Sequence, residues 1–242
     1  LKIKKDEDTG QTILSGMGEL HLDVIISRMR REFKTSVNVG KPQVVYRETI
    51  ETEAEASAVF DNEIAGQRHF GEVIIKVHPL HRGTGNRFVS EVAVDTIPEL
   101  FIPAIKKGVM ESFESGALMG YPVVDVEAVL TGGLYRESLS TELAYTVSAS
   151  MACKNALAKA MPFLLDPIMS VEVFVPESCM GDVIGNLNSR NGKIESIEQK
   201  IGIHAIKATV PLANMFGYST ALRSATQGRG TFTMRFSHFD KS

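Results

Sequence analysis

The sequence predicts an α+β protein, and two patterns support this prediction. Residues 171–236 contain one unit twice, in which an alternating apolar run, a proline, a helical stretch, a glycine turn and a second alternating run follow each other. Residues 41–166 mix short alternating runs, typical of strands, with two longer stretches of helical spacing. Strands and helices in this arrangement predict sheets that are covered by helices on one face.

The repeat predicts the fold of the C-terminal part. Pro176 and Pro211 end the first strand of each copy and lie 35 residues apart. Each proline precedes by four residues a methionine, Met180 or Met215, which we expect at equivalent places near the two helix starts. Two strand–helix–strand units in tandem predict the β-α-β-β-α-β order of a ferredoxin-like sandwich, in which both helices cover one face of a four-stranded antiparallel sheet.

The first 40 residues predict a hairpin followed by a helix. Residues 2–14 alternate around a polar turn, and residues 19–33 have helical spacing, with an apolar face formed by Leu22, Ile25, Ile26, Met29 and Phe33. A hairpin and one helix are half of a small sandwich and cannot bury both faces of the sheet. We therefore expect a fragment of a longer chain, in which this part is poorly packed.

Residues 41–166 predict five strands and two helices. The strands are residues 44–50, 55–60, 73–77, 88–94 and 123–130. The polar residues 61–71 and 131–137 are expected to be turns or loops, and Gly83–Gly85 a hairpin connection. One helix begins at Pro103 with Ile105, Val109 and Phe113 facing inward. The other spans about residues 141–159, and its predicted apolar stripe is Ala144, Val147, Met151 and Leu157.

Composition and charge are ordinary for a globular protein. The 242 residues are 43% hydrophobic and 23% charged, with a net charge of −3. Basic and acidic residues number 7 and 6 in residues 1–40, 11 and 17 in residues 41–166, and 8 and 6 in residues 167–242. The middle part therefore carries −6, and any contact that it makes with RNA must come from local basic residues, because its overall charge repels phosphate.

The sequence shows no pattern of a catalytic, metal or membrane-spanning site. Gly40-Lys41 and Gly192-Lys193 lack the glycine spacing and the serine or threonine of a phosphate loop. The histidines do not join cysteines or carboxylates at ligand spacing, and no nucleophile–base pair is evident. No apolar run approaches the roughly 20 residues of a membrane helix. We predict no catalytic residue, metal or cofactor in this chain, and a cytoplasmic location, which the two cysteines also favour.

Four segments resemble a known family: Gly181–Lys193, Met215–Gly230, Thr9–Asp23 and Val39–Gln43. The first two resemble the last domain of elongation factor G, the translocase of the bacterial ribosome, and the other two resemble the second half of its third domain. The resemblance implies that residues 1–40 are half of a ferredoxin-like third domain. Residues 41–166 would be a fourth domain with a ribosomal-protein-S-five-domain-2-like fold, and residues 167–242 a ferredoxin-like fifth domain. It also implies that GTP and magnesium bind a GTPase domain outside this chain. The chain itself is then expected to have no enzymatic activity.

The resemblance further implies a nucleic-acid-binding site. In that family two loops at the end of the fourth domain enter the ribosomal decoding site beside transfer RNA, and they correspond to Ala65–Gly71 and Gly132–Glu137 here. We expect the contacting residues to be Arg68, His69, Phe70, Tyr135 and Arg136. Contacts with ribosomal RNA in the fifth domain are expected from Arg190, Lys193, Arg223 and Arg229.

Both loops depart from the usual family pattern, so more than one function is open. The first commonly reads Gly-Gln-Tyr-Gly-His and the second has histidine after tyrosine, whereas this chain has Arg68–Glu72 and Arg136 there. The leading hypothesis is a monomeric translocase fragment that binds ribosomal RNA, ribosomal proteins, transfer RNA and messenger RNA. The alternatives are a paralogue that acts in ribosome recycling or ribosome protection, and, in another class, a regulatory module that binds a small molecule.

Overall fold

The computed structural model describes residues 2–5, 12–15, 19–35, 37–39, 44–93, 95–200 and 202–241. Contacts divide the chain into two compact units. One unit comprises Leu1–Val44 and Pro167–His238, and the other comprises Val45–Asp166 and Phe239–Ser242.

The first unit contains the predicted ferredoxin-like sandwich. Its elements are β8 (Pro162–Val175, in this unit from Pro167), α4 (Met180–Ser189), β9 (Lys193–Lys200), β10 (Ile203–Pro211), α5 (Tyr218–Ala225) and β11 (Thr231–Asp240, in this unit as far as His238). The strands lie in the order β11-β8-β10-β9, so that the first strand of each copy is central. β10 pairs antiparallel with both β8 and β9. This order confirms the prediction from the repeat.

One face of this sheet packs against both helices. Val171, Val173 and Val175 of β8 alternate into a core that also contains Leu187 of α4 and Leu222 of α5. The two copies differ at their helix starts. Met180 is the first residue of α4, but Met215 ends a short 3₁₀ turn, and Gly217 (φ +74°) separates it from α5. The left-handed glycine therefore delays the second helix, so the predicted equivalence of the two methionines is only approximate.

The N-terminal part contains the predicted hairpin and helix. β1 (Lys2–Lys5) pairs antiparallel with β2 (Thr12–Ser15), and α1 spans Glu19–Glu32. Phe33 was expected on the apolar face of this helix but lies just beyond its end and is 72% exposed. The predicted turn at residues 6–10 lies outside the described residues.

The second unit has a four-stranded sheet and two helices. The strands are β4 (Ala54–Ile64), β5 (Gln67–Pro79), β6 (Arg87–Ser90) and β7 (Val126–Leu134), in the order β4-β5-β7-β6. α2 (Ile102–Glu114) and α3 (Glu142–Lys159) pack on one another and contribute to a single core with one face of the sheet. A further strand of this unit, β3 (Arg47–Ile50), pairs antiparallel with Pro162–Leu165, the part of β8 that belongs to the same unit.

Three predictions for this unit need correction. The strand expected at residues 88–94 is short, because β6 covers only Arg87–Ser90. Gly83–Gly85 does not connect a hairpin, because it joins β5 to β6 and β7 lies between these strands. Met151, predicted in the buried stripe of α3, is 45% exposed, since small residues such as Ala152 and Ala156 form the buried face instead. These small residues allow close packing, as at Gly108 of α2, where an added Cβ would meet the backbone oxygen of Thr146.

Candidate nucleic-acid interface

The first loop of the expected site is the end of a long β-hairpin. β4 and β5 stay paired from Ala54↔Val77 to Ile64↔Gln67, so most of the predicted loop at residues 61–71 is strand. The turn consists of Ala65 (φ +53°) and Gly66 (φ +80°), and positive φ at both central residues is typical of the type I′ turn that matches strand twist. The polar sequence concealed these strands because this end of the hairpin extends beyond the core.

The second loop follows β7 and lies against this hairpin. β7 continues to Leu134, so the predicted turn at residues 131–137 begins only after it. The backbone N–H of Phe70 donates to the carbonyl of Leu139 at 2.8 Å, which ties the second loop to the first. We call the end of the hairpin, residues 61–70, together with the loop 135–140, the tip.

Asp61 binds both arginines of the tip. Its carboxylate accepts hydrogen bonds from Arg68 Nε at 2.7 Å and from Arg68 Nη2 at 2.8 Å, a bidentate arrangement. Arg136 Nη1 lies 4.0 Å from the same carboxylate. Both arginine side chains remain well exposed, at 58% for Arg68 and 45% for Arg136. Two guanidinium groups are therefore presented to solvent around one carboxylate.

Phe70 lies below these charges. The Arg136 guanidinium lies 3.9 Å from the centroid of the Phe70 ring, in cation–π contact. Phe70 is only 1% exposed. The prediction placed Phe70 at the contacting surface, and this is wrong because the second loop and Arg136 cover the ring. The ring instead supports the guanidinium of Arg136.

His69 and Tyr135 lie away from the arginines. His69 Nδ1 is 3.0 Å from Oγ1 of Thr141, whose side chain also accepts a hydrogen bond from the N–H of Ala144 and so caps α3. The Tyr135 ring is 5.9 Å from the ring of Phe101, which belongs to the core. Side chains alternate along a strand, so His69 lies on the face of β5 opposite to Arg68, whereas Tyr135 lies beyond the end of β7. Of the five predicted residues, Arg68 and Arg136 are the two that Asp61 brings together.

The ion pairs of the tip shift pKa values in the expected directions. The hydrogen bonds from Arg68 lower the pKa of Asp61 below its ordinary value, with further lowering from the charges of Arg68 and Arg136. The same hydrogen bonds raise the pKa of Arg68. Asp61 therefore remains ionised at neutral pH, and the charge of the three groups together is +1.

Two further carboxylates in this unit have a structural role that sequence reasoning missed. Glu48 is 1% exposed and accepts hydrogen bonds of 2.7–3.0 Å from four backbone N–H groups, those of Ala117, Leu118, Met119 and Tyr121. Asp125 accepts from the N–H groups of Gly83 and Gly85 at 3.1 and 2.8 Å. Each carboxylate holds a loop by satisfying its backbone donors. The N–H groups of the glycine loop, residues 83–85, therefore bind the carboxylate of Asp125 and not an external phosphate.

Arg190 of the ferredoxin-like unit is used internally. Its Nε donates to Oδ1 of Asn186 at 3.0 Å, and its Nη1 donates to the carbonyls of Asn214 and Phe216. Asn214 returns a hydrogen bond of 2.9 Å to the carbonyl of Arg190. Arg190 therefore ties the end of α4 to the turn after β10, and most of its donors are satisfied before any RNA contact.

The other three basic residues are exposed but do not form one surface with each other. Lys193 lies beside the end of β10, because it pairs with Thr209, whereas Arg229 Nη2 is 3.8 Å from Cys179 Sγ, just beyond the end of β8. β8 and β10 are antiparallel, and their ends are about seven residues apart along the ladder, roughly 23 Å at 3.3 Å per residue. Arg223 is in the last turn of α5, near Arg229 in the chain. The predicted set is thus divided between two ends of the sheet.

Asp61 is the site residue that sequence reasoning missed. It was assigned to a loop, where its neighbours cannot be deduced. Once the turn is placed at Ala65-Gly66, the register puts Asp61 opposite Phe70 and diagonal to Arg68. The signal that could have found it is the Ala-Gly pair between two polar alternating runs.

Two other kinds of site are absent from the described residues. No group of three or more histidine, cysteine, aspartate or glutamate side chains in that part of the chain could hold a metal ion. Within the same residues, no helix is both long and apolar enough to span a membrane.

Comparison with known proteins identifies the domain families that the chain matches. Three domain families match in sequence order: elongation factor G domain III over residues 1–41, elongation factor G domain IV over residues 42–161, and the elongation factor G C-terminus over residues 163–242. A crystal structure of a protein from Thermus thermophilus is similar to the whole chain, with a TM-score of 0.87 and 34% sequence identity. This chain spans 36% of the length of that protein.

The matches define the class of protein as a translation factor. All three matched domains come from the same factor, and together they leave only position 162 uncovered. The chain belongs to the elongation factor G family.

Proposed function

We propose that this chain is the ribosome-binding C-terminal part of a translocase, and that its tip contacts transfer RNA or ribosomal RNA while GTP drives the movement of transfer RNA and messenger RNA. The observation that supports this proposal is the exposed pair Arg68 and Arg136. Their guanidinium groups are held by Asp61 and Phe70, and no other part of the tip offers comparable donors among the described residues.

The chemistry of the pair suits RNA. A guanidinium group can donate to phosphate oxygens and can stack on an exposed base, and both modes are common in RNA recognition. The unit that carries the tip is acidic overall, so a long-range basic field does not attract RNA. The contact must therefore be local, and each phosphate bound adds about 0.7 to 0.9 to the slope of log affinity against log salt.

The test uses a longer factor that joins this chain to the GTP-binding domain of its family. We expect Arg68→Ala with Arg136→Ala to slow single-round movement of transfer RNA at least about tenfold, the effect of losing roughly 1.4 kcal/mol of contact. Ribosome-stimulated GTP hydrolysis should stay near the unmutated rate. The matched control is Arg87→Ala with Lys106→Ala, which removes two exposed cationic groups from the same unit but not from the tip.

The outcomes separate the candidate functions. Slower transfer RNA movement with normal GTP hydrolysis supports the translocase. An effect on subunit splitting but not on transfer RNA movement would instead support the recycling alternative. That alternative is open because arginines replace the usual family residues in the two loops. Normal rates in both ribosomal assays would refute the role of the tip.

A further inference from the structure

We infer that Asp61 is a specificity-determining residue of the tip, a built-in anion that holds Arg68 and Arg136 in one arrangement and competes with phosphate for them. The inference rests on the proposed function, in which these arginines contact RNA. It gives a role in RNA binding to Asp61, whose negative charge would itself repel RNA.

The geometry gives Asp61 this position. Its carboxylate uses both oxygens on Arg68, so the Nε and Nη2 edge of that guanidinium is occupied, while Nη1 lies outside this pairing. The same carboxylate lies 4.0 Å from Arg136 Nη1, and Arg136 is supported from below by the Phe70 ring. The remaining donor edges are thus held in defined positions, although the arginine side chains are exposed.

The consequence is selection between RNA ligands. An unstructured polyanion gains affinity by surrounding every available cation, and it must displace Asp61 to reach the bidentate edge of Arg68. A structured RNA that meets only the remaining donors leaves the carboxylate in place. Asp61 therefore weakens contacts with unspecific RNA more than contacts with a matching RNA surface, which is specificity by a repulsive element.

Glu63 provides a matched control on the same hairpin. It is exposed and lies directly opposite Arg68 in the ladder, two residues beyond Asp61, yet the hydrogen bonds of Arg68 go to Asp61. Asp61→Asn and Glu63→Gln remove the same charge at nearly the same place. A difference between the two variants therefore reports the specific arrangement and not the net charge.

The experiment measures binding of the 242-residue chain to a fluorescein-labelled single-stranded oligouridylate over a series of KCl concentrations. We expect Asp61→Asn to bind more tightly than the unmutated chain, with a salt slope steeper by about 0.7 to 1.4, equal to one or two further phosphate contacts. Glu63→Gln should change the slope by less than half of this. In the free chain, the NMR signal of the Arg68 Nε–H group should shift in Asp61→Asn and stay in place in Glu63→Gln.

The Arg68→Ala, Arg136→Ala chain separates the two proposals. If it loses binding to the oligouridylate while Asp61→Asn and Glu63→Gln behave alike, the role of Asp61 is wrong and the tip remains the RNA contact. If it binds as the unmutated chain does, the arginines are not RNA ligands, and both proposals fail.

Discussion

Burial decides what a carboxylate does in this protein. Glu48 is buried and four backbone N–H groups satisfy it, so its binding capacity is used to hold residues 117–121. Asp61 is bound by side chains that are themselves exposed, and an external anion can compete for them. The same chemical group is therefore structural in one place and part of the candidate interface in the other.

Tyr218 gives a prediction at the scale of one residue. Its hydroxyl is buried and has no hydrogen-bond partner among the described residues, and burial raises its pKa to about 12. Between pH 10 and pH 12 the folded state keeps this proton while the unfolded state releases it, so stability falls as pH rises through that interval. We expect Tyr218→Phe to match or exceed the stability of the unmutated chain by up to about 1 kcal/mol, and to lose less of it above about pH 10.

Urea unfolding at about pH 8 and about pH 11, on either side of the ordinary tyrosine pKa, measures both effects. Tyr145→Phe is the control, because the Tyr145 hydroxyl is buried too but donates to the carbonyl of Leu134 at 3.0 Å. Its loss should cost about 0.5–1.5 kcal/mol at the lower pH. Burial also raises the pKa of Tyr145, so Tyr145→Phe is a control for the lower pH only, and burial raises the pKa of Cys153 to about 11, so some alkaline loss remains in every variant. A Tyr218→Phe chain that is clearly less stable at the lower pH would show that the hydroxyl has an unrecognised partner.

At the scale of elements, two glycines should respond in opposite ways to alanine. Gly181 lies in α4 with open space where a Cβ would be, so Gly181→Ala should stabilise the chain by about 0.5–1 kcal/mol through helix propensity. Gly71 lies in β5, and an added Cβ would be 2.7 Å from the backbone carbon of Ala144. Gly71→Ala should therefore cost about 1–3 kcal/mol, because α3 must move away from the sheet.

Equilibrium unfolding of the two variants checks this pair. Similar stability for Gly71→Ala and the unmutated chain would mean that α3 does not approach β5 as closely as described. Destabilisation by Gly181→Ala would contradict the open environment of α4. The pair is informative because both substitutions add one methyl group, and only the surroundings differ.

The elements also show what the sequence could predict. The repeat around Pro176 and Pro211 predicted six elements and the ferredoxin-like order, because apolar alternation is strong where a sheet face is buried. The strands at the end of the β4–β5 hairpin were not predicted, because most of residues 61–70 are polar and their pairing depends on the turn at Ala65-Gly66. Apolar alternation in a sequence reflects burial of one strand face. Strands that extend beyond the core have little buried surface and therefore show little alternation.

At the scale of the whole molecule, long-range pairing was the part that sequence reasoning could not reach. The order β4-β5-β7-β6 places the glycine loop between non-adjacent strands, and no local pattern indicates this. The four backbone donors to Glu48 come from residues 69 to 73 positions away. The arginines of the candidate interface were predicted from the family resemblance, but the carboxylate that connects them was not, since the fold brings it beside them.

The last prediction concerns nucleotide binding by the whole chain. A phosphate site needs free backbone N–H groups beside a lysine and a hydroxyl that holds magnesium. The loop Gly83–Gly85 does not offer these donors, because the N–H groups of Gly83 and Gly85 already donate to Asp125, whose negative charge would also repel phosphate. We therefore expect calorimetric titration of the 242-residue chain with GTP and magnesium to show no saturable heat at micromolar concentrations. A saturable micromolar site, lost on competition with GDP, would contradict the expectation and would require a nucleotide site that the sequence does not announce.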